Sequence, residues 1–133
     1  MHETTSKGDI GVARATADLI EKGLDVLSPI NSSSPFDLVA YKGTRFWRIQ
    51  VKYIKINNGT IKIDIRRNTI TNKKITSTPN LEVDVICVYC PDTQLCYYIK
   101  TKKQQIILRI NSPKIKQMAN IKFVGDYLIF PDD

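Results

Sequence analysis

The sequence predicts an α/β (α+β) domain, and three observations carry that reading: a single amphipathic helix pattern at the N-terminus, a long series of short strand patterns after it, and turn residues between them. Ile10, Ala13, Ala17 and Ile20 recur at three- and four-residue steps, which predicts a helix over Ser6–Lys22 with these residues on its buried face. Ser6 followed by Asp9 has capping-box spacing, and Gly23 is a left-handed stop. Leu24–Ser28 reads as a short strand, and Pro29 to Pro35 as a loop. Phe36–Tyr41 and Thr44–Tyr53 read as a hairpin closed by Lys42 and Gly43. Ile61, Ile63 and Ile65 alternate with Lys62, Asp64 and Arg66 as in a strand with one wet face, entered through the turn Asn57-Asn58-Gly59.

The polar stretch Asn68–Asn80 is expected to be an exposed excursion or a short helix followed by a loop. Val83–Tyr89 is apolar enough for a buried strand, Pro91–Gln94 makes a turn, and Leu95–Lys100 pairs back. Strands near Ile106–Ile110, Ile121–Val124 and Tyr127–Phe130, with a short helix at Pro113–Ala119, complete the expected elements.

A chain of 133 residues is one domain's worth of material, so residues 1–133 are expected to form a single domain that buries roughly two-thirds of its unfolded surface. Lys and Arg number 20 against 13 Asp and Glu, and the net charge of +7 favours a polyanionic partner, nucleic acid first. A merely soluble basic domain has the same charge. The chain contains no apolar run of membrane-spanning length, and Met1–Asp9 lacks a secretory apolar stretch, which predicts a cytoplasmic protein with no membrane partner. Cys87, Cys90 and Cys96 are then expected as reduced, buried strand thiols; Cys87 and Cys90 have CxxC spacing, but a structural zinc needs four ligands.

Alternation in the long strand separates Trp47, Ile49, Val51 and Tyr53 from Phe46, Arg48, Gln50 and Lys52. A turn at Lys42-Gly43 pairs Tyr41 with Thr44 and sets Asp37 opposite Arg48, diagonal to Gln50. Asp37, Gln50 and Lys52 then share a face. A carboxylate from Asp37, an amide oxygen from Gln50 and the main chain at Val51 suit Mg2+, with Mn2+ as a substitute, while Lys52 can orient a water and offset developing charge. Each residue also has a plainer reading: Asp37 as a turn aspartate, Gln50 and Lys52 as a solvated strand face, and Asp9 as a helix cap. Arg48, Lys62, Arg66, Arg67, Lys73 and Lys74 are candidate DNA contacts, the basic loop among them serving phosphates or merely solvent. Lys62, Asp64 and Arg66 on a hairpin are alternative base readers.

The segments Ser34-Pro35-Phe36-Asp37-Leu38-Val39 and Arg48-Ile49-Gln50-Val51-Lys52-Tyr53, with the helix around Lys7-Gly8-Asp9-Ile10-Gly11 before them, resemble the PD-(D/E)XK nuclease motif. Within that superfamily the Gln-x-Lys form is similar to the bacterial group I intron homing endonucleases. The resemblance covers about half the chain, and it implies a restriction-endonuclease-like core: a mixed β-sheet flanked by helices, here with an added β-hairpin. It further implies a Mg2+-dependent enzyme that cuts double-stranded DNA as a homodimer or homotetramer without an organic cofactor. Asp9 stands where such enzymes often carry a further acid, and is the expected fourth member of the site. Phe36 interrupts the Pro-Asp pair and Gln50 replaces the second carboxylate. A Holliday-junction resolvase and a non-catalytic basic DNA-binding module are the competing functions. Pro91-Asp92, with Tyr98-Ile99-Lys100, is a decoy, because tyrosine is a poor ligand where the motif wants an acid or amide.

Overall fold

In a computed structural model, the described residues are 3–64, 67–71, 74–78, 82–101, 105–109, 121–123 and 127–131. One helix, α1 (Glu3–Glu21), precedes ten strands: β1 (Asp25–Leu27), β2 (Leu38–Lys42), β3 (Arg45–Tyr53), β4 (Thr60–Asp64), β5 (Arg67–Thr71), β6 (Lys74–Thr78), β7 (Val85–Cys90), β8 (Leu95–Lys100), β9 (Gln105–Arg109) and β10 (Ile121–Phe123). The main sheet runs β1-β2-β3-β7-β8, antiparallel except where β3 lies parallel to β7. β10, β9 and β4 form a second sheet, and β5 and β6 pair in a third. The expected α+β class with a mixed sheet is the class observed.

The helix begins three residues earlier than expected, so Ser6 and Asp9 lie inside it and do not form its cap. It ends as Gly23 requires: with φ at 88°, Gly23 donates to the Ile20 carbonyl at 2.9 Å and Leu24 donates to Leu19 at 3.1 Å, the paired bonds of a Schellman stop. Its buried face also differs from expectation. Ala15 and Leu19 are fully buried, whereas Ile10 and Ile20 are exposed. The cause is close approach, because a Cβ on Gly11 would sit 3.3 Å from Val51 Cγ1. Small residues spaced four apart, Gly11 and Ala15, let the helix lie down on β3, and the larger isoleucines are left at the sides.

Each face of the main sheet has its own core. Toward α1, Trp47, Ile49, Leu38, Ala40, Val85, Cys87 and Tyr98 pack with Ala15 and Leu19, and Val51 and Tyr53 join their edge. The opposite face holds Ile86, Val88, Tyr97 and Ile99, covered by Ile61 and Ile63 of β4. The alternation in β4 thus buries its isoleucines and exposes Lys62, as the pattern predicts. Asn58 and Gly59, with φ at 53° and 73°, make the tight turn that starts β4. Cys87, Cys90 and Cys96 are buried free thiols.

Three expectations need correction. Within the stretch expected to be an exposed excursion or a short helix and loop, the described residues instead pair as antiparallel strands, β5 with β6, from Arg67↔Thr78 to Thr71↔Lys74. Tyr127–Phe130 is not a strand; Phe130 is instead an aromatic plug, its ring edge-on to Trp47 at 5.2 Å and to Tyr98 at 5.5 Å. The β2–β3 turn is Gly43-Thr44, with Lys42 paired to Arg45, because the positive φ of 66° places the glycine at the first central position. The expected Pro113–Ala119 helix lies outside the described residues.

Candidate active site

The turn correction moves the register by two residues. Leu38 pairs with Ile49 and Val39 with Arg48, which carries Asp37 past Arg48 to the level of Gln50. A two-residue slip preserves the alternation of faces, so the predicted grouping survives the wrong turn. Asp37 stands just before β2, and its N–H donates to the Ile49 carbonyl at 2.8 Å. Its carboxylate Oδ2 accepts the Val51 N–H, also at 2.8 Å. Main chain and side chain of Asp37 therefore clasp β3 immediately before and immediately after Gln50.

Gln50 and Lys52 lie on the sheet face away from α1, level with Ile86 and Val88 of β7, and both are half-buried. The Lys52 ammonium donates to the Asp64 carbonyl at 3.1 Å, so the end of β4 fixes where that charge sits. Among the described residues, the second oxygen of Asp37 and the side-chain amide of Gln50 have no protein hydrogen-bond partner. An oriented carboxylate with one open oxygen, beside an open amide, is a donor set that fits a hard divalent cation. Among the described residues no three Asp, Glu, His or Cys side chains cluster, so such an ion would keep most of its coordination for water and phosphate.

Asp9 is exposed on α1, two residues before the Gly11 contact with Val51. The helix thus crosses β3 at the same end of the strand as the clasp, although on the other face. Val51 turns its side chain to the helix core and its N–H to Asp37.

Arg48 stands in the same row as Gln50 and Lys52, but its guanidinium is engaged. Nε bonds Asp84 Oδ2 at 3.0 Å and Nη2 bonds Oδ1 at 2.9 Å, while the Arg48 N–H also reaches Oδ2 at 2.8 Å. This hydrogen bonding raises the Arg48 pKa and holds the Asp84 carboxyl below the usual carboxylate range. Asp84 escaped the sequence reading. Its only signal is position, an acid directly ahead of the apolar run of β7.

Of the other basic residues proposed to touch DNA, Lys62 is exposed on β4. Arg67 opens β5 and Lys74 opens β6. Arg66 and Lys73 lie outside the described residues.

Comparison with known proteins gives an independent result. The family model for PD-(D/E)XK endonuclease matches residues 2–130. The fold is similar to the solved structure of a bacterial homing endonuclease, I-Ssp6803I, with a TM-score of 0.70 at 20% identity, covering 95% of this chain and 88% of that one. No curated protein is similar enough to count as a match. The clasp of Asp37 around Gln50, the ammonium of Lys52 on the same strand and a family match over nearly the whole sequence lead to one statement: this chain belongs to the PD-(D/E)XK endonuclease family.

Proposed function

We propose that the protein is a site-specific endonuclease of the homing type, which hydrolyses phosphodiester bonds in both strands of duplex DNA and depends on Mg2+, with Mn2+ able to replace it. The supporting observation is the clasp: Asp37 is bonded on both sides of Gln50, next to Lys52. Asp37, Gln50 and the Val51 main chain would hold the ion, with Asp9 as the additional acid. A bound divalent cation would supply Lewis-acid stabilisation of the charge that develops during hydrolysis.

The chain's own groups do the remaining work. Asp37, held by Val51 N–H, presents its open oxygen in one orientation. Lys52, tethered at Asp64, offers a proton-bearing cation to the scissile phosphate and to the attacking water. Lys62, Arg66, Arg67, Lys73 and Lys74 supply positive charge for the DNA backbone. Cutting two antiparallel strands with one site per chain calls for a symmetric homodimer or homotetramer.

The test is a Mg2+ titration of plasmid cleavage by wild type, Asp37→Asn and Lys52→Ala. Both variants should lose at least about a hundredfold in rate while still binding duplex. Cleavage at the wild-type rate in both would remove the catalytic assignment. Preference for four-way junctions over every duplex would convert the reading to a resolvase.

A further inference from the structure

Phe46 lies in the same row of β3 as Gln50 and Lys52, yet the cleavage chemistry makes no use of it. Its side chain is 62% exposed. Its register partner on β2 is Tyr41, and the two ring centroids stand 4.6 Å apart with the planes tilted by 37°. Val39 of β2 and Leu27 of β1 share this face, which is turned away from α1. The half of the face formed by β7 and β8 is covered by β4, whose Ile61 and Ile63 pack on Ile86, Val88, Tyr97 and Ile99. The half formed by β1, β2 and β3 is open enough to leave Leu27 and Phe46 exposed.

Charge identifies what this open half would meet. From Leu38 to Ile63 there is no Asp or Glu, and Lys42, Arg45, Arg48, Lys52, Lys55 and Lys62 are the charged residues. Lys42 and Arg45, the register pair beside the β2–β3 turn, are exposed on the rim next to the two rings. Trp47 holds Arg45 there, with the guanidinium carbon 4.8 Å from its ring centroid. Asp25, opposite Tyr41, is an acid on this face, but it lies on the outer strand β1, two strand spacings or about 10 Å from the β3 row. Asp84 is engaged with Arg48. A single exposed apolar side chain is ordinary. An exposed ring braced by a second ring, among cations and in line with the candidate active site, has the composition of a surface that meets nucleic-acid bases.

We propose that Phe46, braced by Tyr41, is a wedge that enters one base step of the bound duplex and unstacks it, so that the protein favours a flexible pyrimidine–purine step at that position. The proposal rests on the endonuclease reading above. It adds a point at which the DNA is kinked and a sequence preference that needs no hydrogen bond to a base. Position follows from the strand: Phe46 is four residues before Gln50, about 13 Å along β3, which is the rise of about four base pairs at about 3.4 Å each. Preference follows from the DNA. Apolar side chains such as phenylalanine part base steps and kink the duplex, and TA and CA/TG steps part most readily. Lys42 and Arg45 add positive charge where the kinked backbone closes on the rim.

The test reads unstacking directly. Duplexes that wild type selects from a random-sequence pool, with Ca2+ in place of Mg2+, are remade with 2-aminopurine at successive positions, and the cut is mapped with Mg2+. Wild type is expected to raise the fluorescence severalfold at one pyrimidine–purine step about four base pairs from the cut. Phe46→Ala is expected to abolish that rise and to lose about tenfold in affinity, whereas Phe46→Leu keeps an apolar wedge and most of both. A mismatch at the step, already unstacked, is expected to remove most of the difference between wild type and Phe46→Ala. No rise with wild type at any position, a rise undiminished in Phe46→Ala, or an affinity deficit that the mismatch leaves intact would each overturn the proposal. So would loss of self-association in Phe46→Ala with unstacking unchanged, an outcome that gives the open face to a second copy of the chain. A failure of the catalytic reading shows elsewhere, as undiminished cleavage by Asp37→Asn, and leaves the fluorescence result standing.

Discussion

Arg48 and Asp84, 36 residues apart, are joined by two side-chain hydrogen bonds and by a third from the Arg48 N–H to the same carboxylate. The Asp84 N–H returns a bond to the Arg48 carbonyl at 2.8 Å. This lock sets β3 beside β7 where their parallel pairing begins, and so fixes the row that continues to Gln50 and Lys52. Asp84→Asn is predicted to cost about 1–2 kcal/mol, a figure kept low because the two side chains are 42% and 37% exposed. The pH dependence follows from the depressed folded-state pKa of Asp84. Its contribution is present above the ordinary aspartate value of about 3.9 and is lost as pH falls through the lower folded value. Denaturant midpoints should therefore differ between wild type and variant at neutral pH and converge in acid.

Gln50→Glu tests the weak point of the donor set. A second carboxylate beside Asp37 adds a formal charge where the native residue offers a neutral oxygen. The Mg2+ concentration for half-maximal cleavage is predicted to fall by about tenfold, which corresponds to about 1.4 kcal/mol. A metal titration of cleavage rate, with Gln50→Ala as the opposite control, checks the direction.

Tyr98 is buried against α1 and donates its hydroxyl to Asp18 Oδ2, the same oxygen that Lys22 Nζ approaches at 3.1 Å. Burial, with the neighbouring thiols and carboxylate, pushes the phenol well above its ordinary value. A folded-state pKa raised in this way gives stability that is complete below about pH 10 and declines as pH rises past the unfolded value. Tyr98→Phe should cost about 1–2 kcal/mol at neutral pH from the lost charged hydrogen bond. It should also flatten the alkaline limb of the stability profile. Thermal melts across the alkaline range read both effects.

Gly11→Val places a branched side chain where Val51 already stands at 3.3 Å. Overpacking of this kind costs about 1–3 kcal/mol. Because Val51 carries the N–H that orients Asp37, cleavage should fall by more than the loss of folded protein accounts for. Comparing rate per folded molecule with the unfolding midpoint separates the two.

Local chemistry was legible in the sequence where one strand or one turn decided it. The alternation from Phe46 to Tyr53 and the isoleucines of β4 report their own faces, and Gly23 and the Asn57-Asn58-Gly59 turn report their own geometry. The grouping of Asp37, Gln50 and Lys52 survived a misplaced turn only because the slip was even. The helix face was misread because apolar periodicity weighs Ile10 and Ile20 above Gly11 and Ala15, while packing distance favours the small residues. The β5–β6 ribbon was missed for a different reason: its run of threonine, asparagine, serine and lysine has no apolar alternation and has the composition of a loop. Arg48–Asp84 and Tyr98–Asp18 join distant parts of the chain, and neither leaves a local trace.

Gln50 and Lys52 ride on the middle strand of five, laced to β2 and β7 on either flank, whereas Asp37 hangs at the end of the long 28–36 loop by two hydrogen bonds. The molecule resembles a vice with one broad jaw and one narrow jaw. The narrow jaw is pinned at Ile49 and Val51, so its alignment depends on how those two residues are seated beneath the helix. Re-engineering of this nuclease therefore has a natural dial in the packing behind the strand.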